Sequence, residues 1–355
     1  MTTDQRSKAA QTPANLNPHS KRVVLAHGGG GQLTDQLVGE IIQPRLANAL
    51  LDTMDDSAVF DVSAGPLAFS TDSYVVHPIE FPGGDIGRLA VAGTVNDLAV
   101  CGALPRFLSL GLILEEGLEL DLLRRVIDSI ADTAIEAGVQ VATGDTKVVA
   151  RGQADGIYIN TAGVGSLHPK ADLAIARIQP GDRVLVSGTV ADHGLAVMLQ
   201  REEAFGIESE LRSDTAPLNG LIAELLNACG SDLVFLRDPT RGGLAGVIAD
   251  LAEVSGFHLT VDETKVPLRH QTNYAAEMLG IDPLDVANEG KVVAVVRAEM
   301  EHAALEVMRA HPLGKHAESI GEFSNKQDGL CEIITDVGGR RIVQKPYGEE
   351  LPRIC

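Results

Sequence analysis

Apolar and polar positions along this chain switch between two periods, and the switches mark out its elements. A short apolar run at 23–26 is followed by four glycines, Gly28 to Gly31, and then by a helical pattern over 33–51. An apolar stretch at 67–70 reads as a strand that runs into Thr71 and Asp72. Over 88–101, Leu89, Ala92, Val95, Leu98 and Ala99 recur at helical spacing. Residues 108–114 read as a strand. Residues 120–137 form a long helix stopped by Gly138, which is free to take the left-handed conformation. Strands at 140–143 and 156–164 complete a first domain that ends near residue 168.

The turn Ile178-Gln-Pro-Gly-Asp-Arg opens a second domain. Its pattern gives strands at 183–187, 259–261, 291–297 and 331–335. Its helices start at His193 and span 219–228, 242–255 and about 299–310. Gly338 and Gly339 release a tail, 339–355, where Pro346 and Pro352 resist regular structure. Residues 1–21 are polar and read as a flexible extension, without the roughly 7–15-residue apolar stretch of a signal peptide. No short-period repeat occurs, which excludes a solenoid. The expected fold class is α+β: two domains, 22–168 and 178–338, with mixed sheets packed by helices and a flexible C-terminal tail.

Composition narrows the function. The 355 residues suit two domains at about 100–200 residues each, and 45 % hydrophobic residues suffice for a core. Asp plus Glu number 49 against 29 Lys plus Arg, a net charge of −20. No nucleic acid partner is expected, because phosphate demands a basic face. No membrane partner is expected either, since apolar runs such as 107–114 fall below the ~18 residues of a spanning helix. The four cysteines, Cys101, Cys229, Cys331 and Cys355, form no CxxC pair, so a zinc ribbon is unsupported. Their scatter fits a reduced cytoplasm, and the expected localisation is cytoplasmic. Cys355 is the last residue, so the position that prenylation requires is not filled.

Several motifs carry chemistry. The glycine loop lets backbone N–H groups approach a phosphate. It is equally a plain mobile loop, and no Walker lysine follows it. Asp55, Asp56, Asp72, Asp97 and Asp145 sit in polar breaks within apolar sequence. Singly each reads as a cap or turn residue; together they suit a Mg–nucleotide site. Gly144-Asp145-Thr146-Lys147 adds a cation that can neutralise phosphate or act as a base. Arg237-Asp238-Pro-Thr-Arg-Gly-Gly243 opens a helix with an anion-receptive terminus. In Asn288-Glu289-Gly290 the glutamate is a candidate general base or a turn residue. The terminal Cys355 thiolate is a nucleophile able to carry a carbonyl-derived group. The adjacent α-carboxylate raises its pKa, and Arg353 offsets this. The 16 residues after Gly339 can extend about 50 Å.

Taken together, the glycine loop, Phe81-Pro-Gly-Gly-Asp-Ile-Gly87, Gly93-Thr-Val-Asn-Asp-Leu98, 144–147, 237–243, 287–290 and the terminal Pro352-Arg-Ile-Cys355 resemble the HypE family of hydrogenase maturation factors. That family lies within the PurM-like superfamily of aminoimidazole ribonucleotide synthetase. The resemblance covers residues 22–355. It implies a PurM-like two-domain fold, with 22–168 as the ATP-binding and dimerisation domain, and a homodimer. It implies that a HypF-like carbamoyltransferase loads Cys355 with a carbamoyl group. ATP and Mg²⁺ then serve to dehydrate the thiocarboxamide to a thiocyanate, and the HypC–HypD complex receives the cyano group for the Fe(CN)₂CO centre of [NiFe]-hydrogenase. By motif match, Asp55, Asp56, Asp72, Asp97 and Asp145 hold the metal. Asp56, Asp72, Asn96, Asp97, Asp145, Thr146, Asp238 and Asn288 bind ATP, and Cys355, Lys147 and Glu289 are catalytic. The alternatives are another PurM-like enzyme such as selenophosphate synthetase, whose glycine loop carries a cysteine or selenocysteine absent here, and a non-enzymatic scaffold with a recognition tail.

Overall fold

Helix α3 (Ile86–Val100) lies between two sheets that share it in the computed structural model, which describes residues 21–29, 31–53, 57–61, 65–201 and 210–345. The N-terminal part carries α1 (Gln32–Leu37), α2 (Gln43–Leu46), β1 (Leu67–Tyr74), β2 (Glu80–Phe81), β3 (Gly84–Asp85), α3, β4 (Ala103–Glu115), α4 (Leu120–Ala137), β5 (Gln140–Val149) and β6 (Ile157–Leu167). Its sheet runs β1-β6-β4-β5, antiparallel except for the β4–β5 pair. A parallel pair needs a long crossover, and α4 supplies it. Gly138 ends α4 as the sequence predicts, at φ 69°, with its N–H donating to the Ala134 carbonyl. The helix expected over 33–51 stops at Leu46. Asn48 ends it: its amide donates to the carbonyls of Leu46 (2.9 Å) and Val141 (2.8 Å), tying the chain to β5.

The C-terminal part carries β7 (Arg183–Val186), α5 (Asp192–Arg201), α6 (Asn219–Cys229), β8 (Leu233–Arg237), α7 (Gly243–Ser255), β9 (Leu259–Asp262), α8 (His270–Leu279), β10 (Val293–Val296), α9 (Glu301–Ala310), β11 (Glu318–Phe323), β12 (Cys331–Ile334) and β13 (Arg340–Val343). The sheet order is β13-β12-β9-β11-β7-β10-β8. Strand alternation separates its two faces. Val184, Val186, Val293 and Val295 pack with α7, whereas Leu185, Ala294 and Val296 pack with α6 and α9. β13 corrects the expectation of an irregular tail from 339. Arg340–Val343 pairs antiparallel with β12, Val343 opposite Cys331. An edge strand needs little apolar pattern, and buried Val343 is its anchor; Pro346 lies beyond it.

Every residue of α3 from Ile86 to Ala99 is buried except Arg88 and Asp97. Asp85 caps the helix by accepting from the N–H groups of Gly87 (2.7 Å) and Arg88 (2.9 Å). Against β1 and β6, Tyr74, Thr94 and Thr161 form a buried hydroxyl chain that ends on the Ala90 carbonyl. Gly93 permits this approach, since a Cβ there would lie 2.3 Å from the Tyr74 hydroxyl. The same core continues from Leu89 and Val95 into Leu195 and Val197 of α5 and on to Val286 and Ala287. Among the described residues, no helix is long and apolar enough to cross a membrane.

Gly93→Ala forces Tyr74 off the helix. We expect a loss of about 1–3 kcal/mol, as for overpacked cores. A urea titration checks it through a lowered midpoint at unchanged slope.

Candidate functional site

Four carboxyl groups meet along the seam between the two sheets. Asp72 lies on β1, on the side that faces α3, and Asp97 lies on α3. Ser70 Oγ donates to Asp97 Oδ2 at 2.9 Å. Burial, and after it the neighbouring Asp72 charge, raise the Asp97 carboxyl above its ordinary value. Asp238 follows β8 in a turn that only glycine can close. Gly242 and Gly243 sit at φ 76° and 58°, and a Cβ on Gly243 would fall 2.4 Å from the Leu284 carbonyl oxygen. Burial first, then Asp97, push the Asp238 carboxyl up to about 7. Glu289 is 3 % exposed. Burial, followed by Asp238, Asp214, Asp72 and Asp97, raises it well above the usual carboxylate range. Arg241 brings a cation to the group, its guanidinium 4.0 Å from Asp72.

Two buried amides hold these loops. Asn96 donates to the carbonyls of Ala216 (3.1 Å) and Glu289 (3.3 Å) and accepts from the Leu218 N–H (2.7 Å). Asn288 donates to Pro239 and Val286, both at 3.0 Å, and accepts from the Ala191 N–H at 2.7 Å. Both side chains are spent on backbone groups. Their geometry is that of braces between loops.

Asp145, Thr146 and Lys147 lie elsewhere, on the edge strand β5. The register row Asp145, Gly111, Asn160, Ser73 crosses the whole sheet. Three strand spacings separate Asp145 from β1, about 14 Å, and this row points away from α3 while Asp72 points toward it. The five carboxylates expected as one metal set therefore do not form one cluster, because strand alternation turns Asp145 to the outer face. There it pairs with Lys147 Nζ at 2.6 Å, and that hydrogen bond lowers its pKa. The glycine loop reaches the same strand: a Cβ on Gly28 would fall 2.7 Å from the Val148 nitrogen. A cleft of about 240 Å³ opens between Thr34, Val38 and Leu51 on one side and Val141 to Thr146 on the other. Asp55, Asp56 and Cys355 lie outside the described residues. Among the described residues, no three His, Cys, Asp or Glu side chains stand close enough to hold a metal.

Known proteins match this architecture. The family model for the AIR synthase related protein, N-terminal domain, matches residues 54–167, and the corresponding C-terminal domain matches 179–332. The carbamoyl dehydratase HypE of Rhizobium leguminosarum bv. viciae is 45 % identical over 340 residues, 96 % of this chain and 97 % of that protein. The chain belongs to the HypE family of carbamoyl dehydratases. A crystal structure of hydrogenase maturation protein HypE in complex with ATP is similar at 44 % identity and a TM-score of 0.88, covering 94 % of this chain and 99 % of that one. HypE in a crystallised HypE–HypF complex is similar at a TM-score of 0.76 and 44 % identity, covering 89 % of this chain and 100 % of that one.

The structure adds to this HypE-family chain two seam residues that no motif announced, Asp214 and Lys291. Asp214 stands in an irregular loop before α6, and Lys291 reads from sequence as the start of a strand. The acidic seam itself has a measurable signature. Folded, Asp238 keeps its proton up to about pH 7, whereas an unfolded aspartate releases it near 3.8. Stability from that proton is full below pH 3.8 and is lost as pH rises toward 7. Asp238→Asn cannot ionise and escapes the loss. Between about pH 4 and pH 8 the variant should gain on the wild type by on the order of 1–2 kcal/mol, after solvent screening. Urea unfolding of nucleotide-free protein across pH checks this, and a pH-independent difference contradicts it.

Proposed function

We propose that this chain carries its substrate on its own last residue and dehydrates it with ATP. A HypF-like carbamoyltransferase loads the Cys355 thiol to give –S–C(=O)–NH₂. The amide oxygen is a poor leaving group, so the γ-phosphoryl of ATP is transferred to it. The C–O bond then breaks with departure of phosphate, both N–H protons are removed, and –S–C≡N remains, with ADP and phosphate as the other products. The cyano group passes to the HypC–HypD complex for the Fe(CN)₂CO centre of [NiFe]-hydrogenase. A cytoplasmic setting, where thiols stay reduced, suits a carrier thiol.

The observation that carries the reading is the seam of Asp72, Asp97, Asp238 and Glu289, in which burial and the neighbouring carboxylates raise Asp97, Asp238 and Glu289 above their ordinary values. Such a site favours a cation and can exchange protons near neutral pH. Mg²⁺ fits it as a nucleotide-borne ion. Mg²⁺ needs only one or two carboxylates besides phosphate oxygens, and Asp72 and Asp97 supply two, with Asp55 and Asp56 proposed beside them; Asp145, about 14 Å away across the sheet, would join this set only from the other copy of a homodimer. When bound, the ion neutralises phosphate charge. It also favours the ionised form of Glu289, which then accepts a proton from the thiocarboxamide; Lys147 and Thr146 meet phosphate with Asp145, and Asn96, Asn288 and Asp238 hold the site's walls. The tail reaches from β13: the ten residues after Lys345 extend about 33 Å, enough to bring Cys355 to the seam.

Exposed apolar side chains on the outer face of the four-stranded sheet support a second copy of the chain as partner. Leu67 (47 %), Phe69 (74 %), Leu104 (37 %) and Ile113 (42 %) are exposed there, alongside Asp145 and Lys147. An apolar patch of this kind marks an interface. In a homodimer it places the Lys147 strand against the other copy, and the nucleotide site spans the junction. The HypE–HypF complex supports the loading partner, and the HypE–ATP complex supports the nucleotide.

Incubation with HypF, carbamoyl phosphate and ATP tests the chemistry by intact mass. A carbamoyl adduct of about +43 Da should appear and then lose about 18 Da when ATP is added. Cys355→Ala should show neither change and still bind ATP; a mass that never changes in the wild type favours a scaffold. Phe69→Asp should dissociate the dimer in sedimentation and lower ATP turnover by roughly tenfold or more. A monomer with full turnover contradicts the shared site.

A further inference from the structure

We infer that Asp214, clamped by Lys291, is the positioning residue for Glu289; the inference rests on the reading in which Glu289 takes protons from the thiocarboxamide. Asp214 Oδ1 accepts the Glu289 backbone N–H at 3.1 Å, and its Oδ2 takes Lys291 Nζ at 2.9 Å. Lys291 Nζ also donates to the Gly290 carbonyl at 3.2 Å. On the other side, the Glu289 carbonyl accepts from Asn96 Nδ2 at 3.3 Å and from the Ala216 N–H at 3.4 Å. Both peptide groups of Glu289 are thus fixed, one by a residue of α3 and the other by the loop before α6. The loops touch backbone to backbone: a Cβ on Gly290 would fall 1.8 Å from the Asp214 carbonyl oxygen.

The pair is deep. The Asp214 side chain is 2 % exposed and the Lys291 side chain 10 %. Buried ion pairs contribute little net stability over an apolar pair of similar volume. Holding one against the backbone of a single glutamate therefore points to geometry and local charge. Burial works to raise the Asp214 carboxyl, but Lys291, then His193, hold it below its ordinary value, so it stays ionised. His193 stands on α5 with Ser213 Oγ at 2.8 Å from its Nδ1. The other ionisable groups around Glu289 are Asp72 and Tyr74 on β1, Asp97 on α3, and Asp238 with Arg241 in the turn before α7. Asp214 is the one among these anions that also bonds the glutamate's own backbone. It sets where the carboxyl points and adds a fixed negative charge behind it.

Two substitutions separate these effects. Asp214→Asn keeps a carbonyl acceptor for the Glu289 N–H and deletes the charge; Asp214→Ala removes both. Each is made alone and with Lys291→Met, so that no buried cation is left unpaired and folding is preserved. Intact mass follows loss of water from the carbamoylated chain across pH, with carbamoyl loading by HypF and ATP affinity measured on the same samples. Asn with Met should load and bind ATP as the wild type does. It should dehydrate within about tenfold of the wild-type rate, while Asp214→Asn alone, which deletes the anion and keeps the Lys291 cation, should move the pH profile down by about one unit because Glu289 has lost a negative neighbour. Ala with Met should dehydrate about 10- to 100-fold more slowly at unchanged loading and ATP affinity. A wild-type rate and profile in Ala with Met overturns the inference. So does a rate that falls only in step with loading and ATP binding, because Asp214 is then merely structural. A wild type that loads but never loses water overturns the functional reading instead, before any variant is compared.

Discussion

The structure depends on burying one helix on all sides. α3 has a sheet against one flank and the second domain against the other, and from Ile86 to Ala99 only Arg88 and Asp97 reach out of its core. Such a helix cannot slide, because Gly93 is seated on Tyr74. It cannot carry unpaired polar groups without a cost of about 1–3 kcal/mol each. Thr94 and Asn96 meet that condition, Thr94 through the hydroxyl chain and Asn96 through three backbone groups of the other domain. Asp97 is then the carboxylate that emerges where the two halves meet. The position of the acidic seam follows from the packing of this one element.

Much of the architecture was legible in the sequence because period and punctuation agreed. α4 and its glycine stop are the clearest case. Long apolar strands such as β4 were found in place but short, because Pro105 and the exposed Arg106 break the apolar pattern without breaking the strand. β8, α8, β11 and β13 escaped. β13 is an edge strand of Arg-Arg-Ile-Val with one buried anchor, and its pairing is decided by β12 rather than by its own pattern. The helix over 33–51 was read too long because Asn48 acts through a contact with β5, which no local pattern records.

The candidate site was legible as a set of residues but not as an arrangement. Sequence order gives no account of which face of β5 carries Asp145, so five carboxylates read as one group, where strand register puts Asp145 some strands away and facing outward. The Asn96 and Asn288 side chains, expected at the nucleotide, turn out to brace backbone. Asp214 carried no motif at all: a lone aspartate in an irregular loop is indistinguishable from a turn residue until its neighbours are known. The glycines of the 237–243 motif were informative for a structural reason, since Gly242 and Gly243 both take positive φ and Gly243 leaves no room for a side chain.

The apolar core that runs unbroken from α3 into α5 and the segment before Glu289 has a consequence for how the molecule opens. Two domains joined by a linker melt separately; two domains that share a core and a buried amide unfold together. The backbone N–H of Leu218, although it lies just outside a helix, is tied to Asn96. It should exchange its hydrogen with solvent about as slowly as the middle of α3, because both are released only by the same global event. The loops that bear the acidic groups thereby inherit the rigidity of the protein's interior.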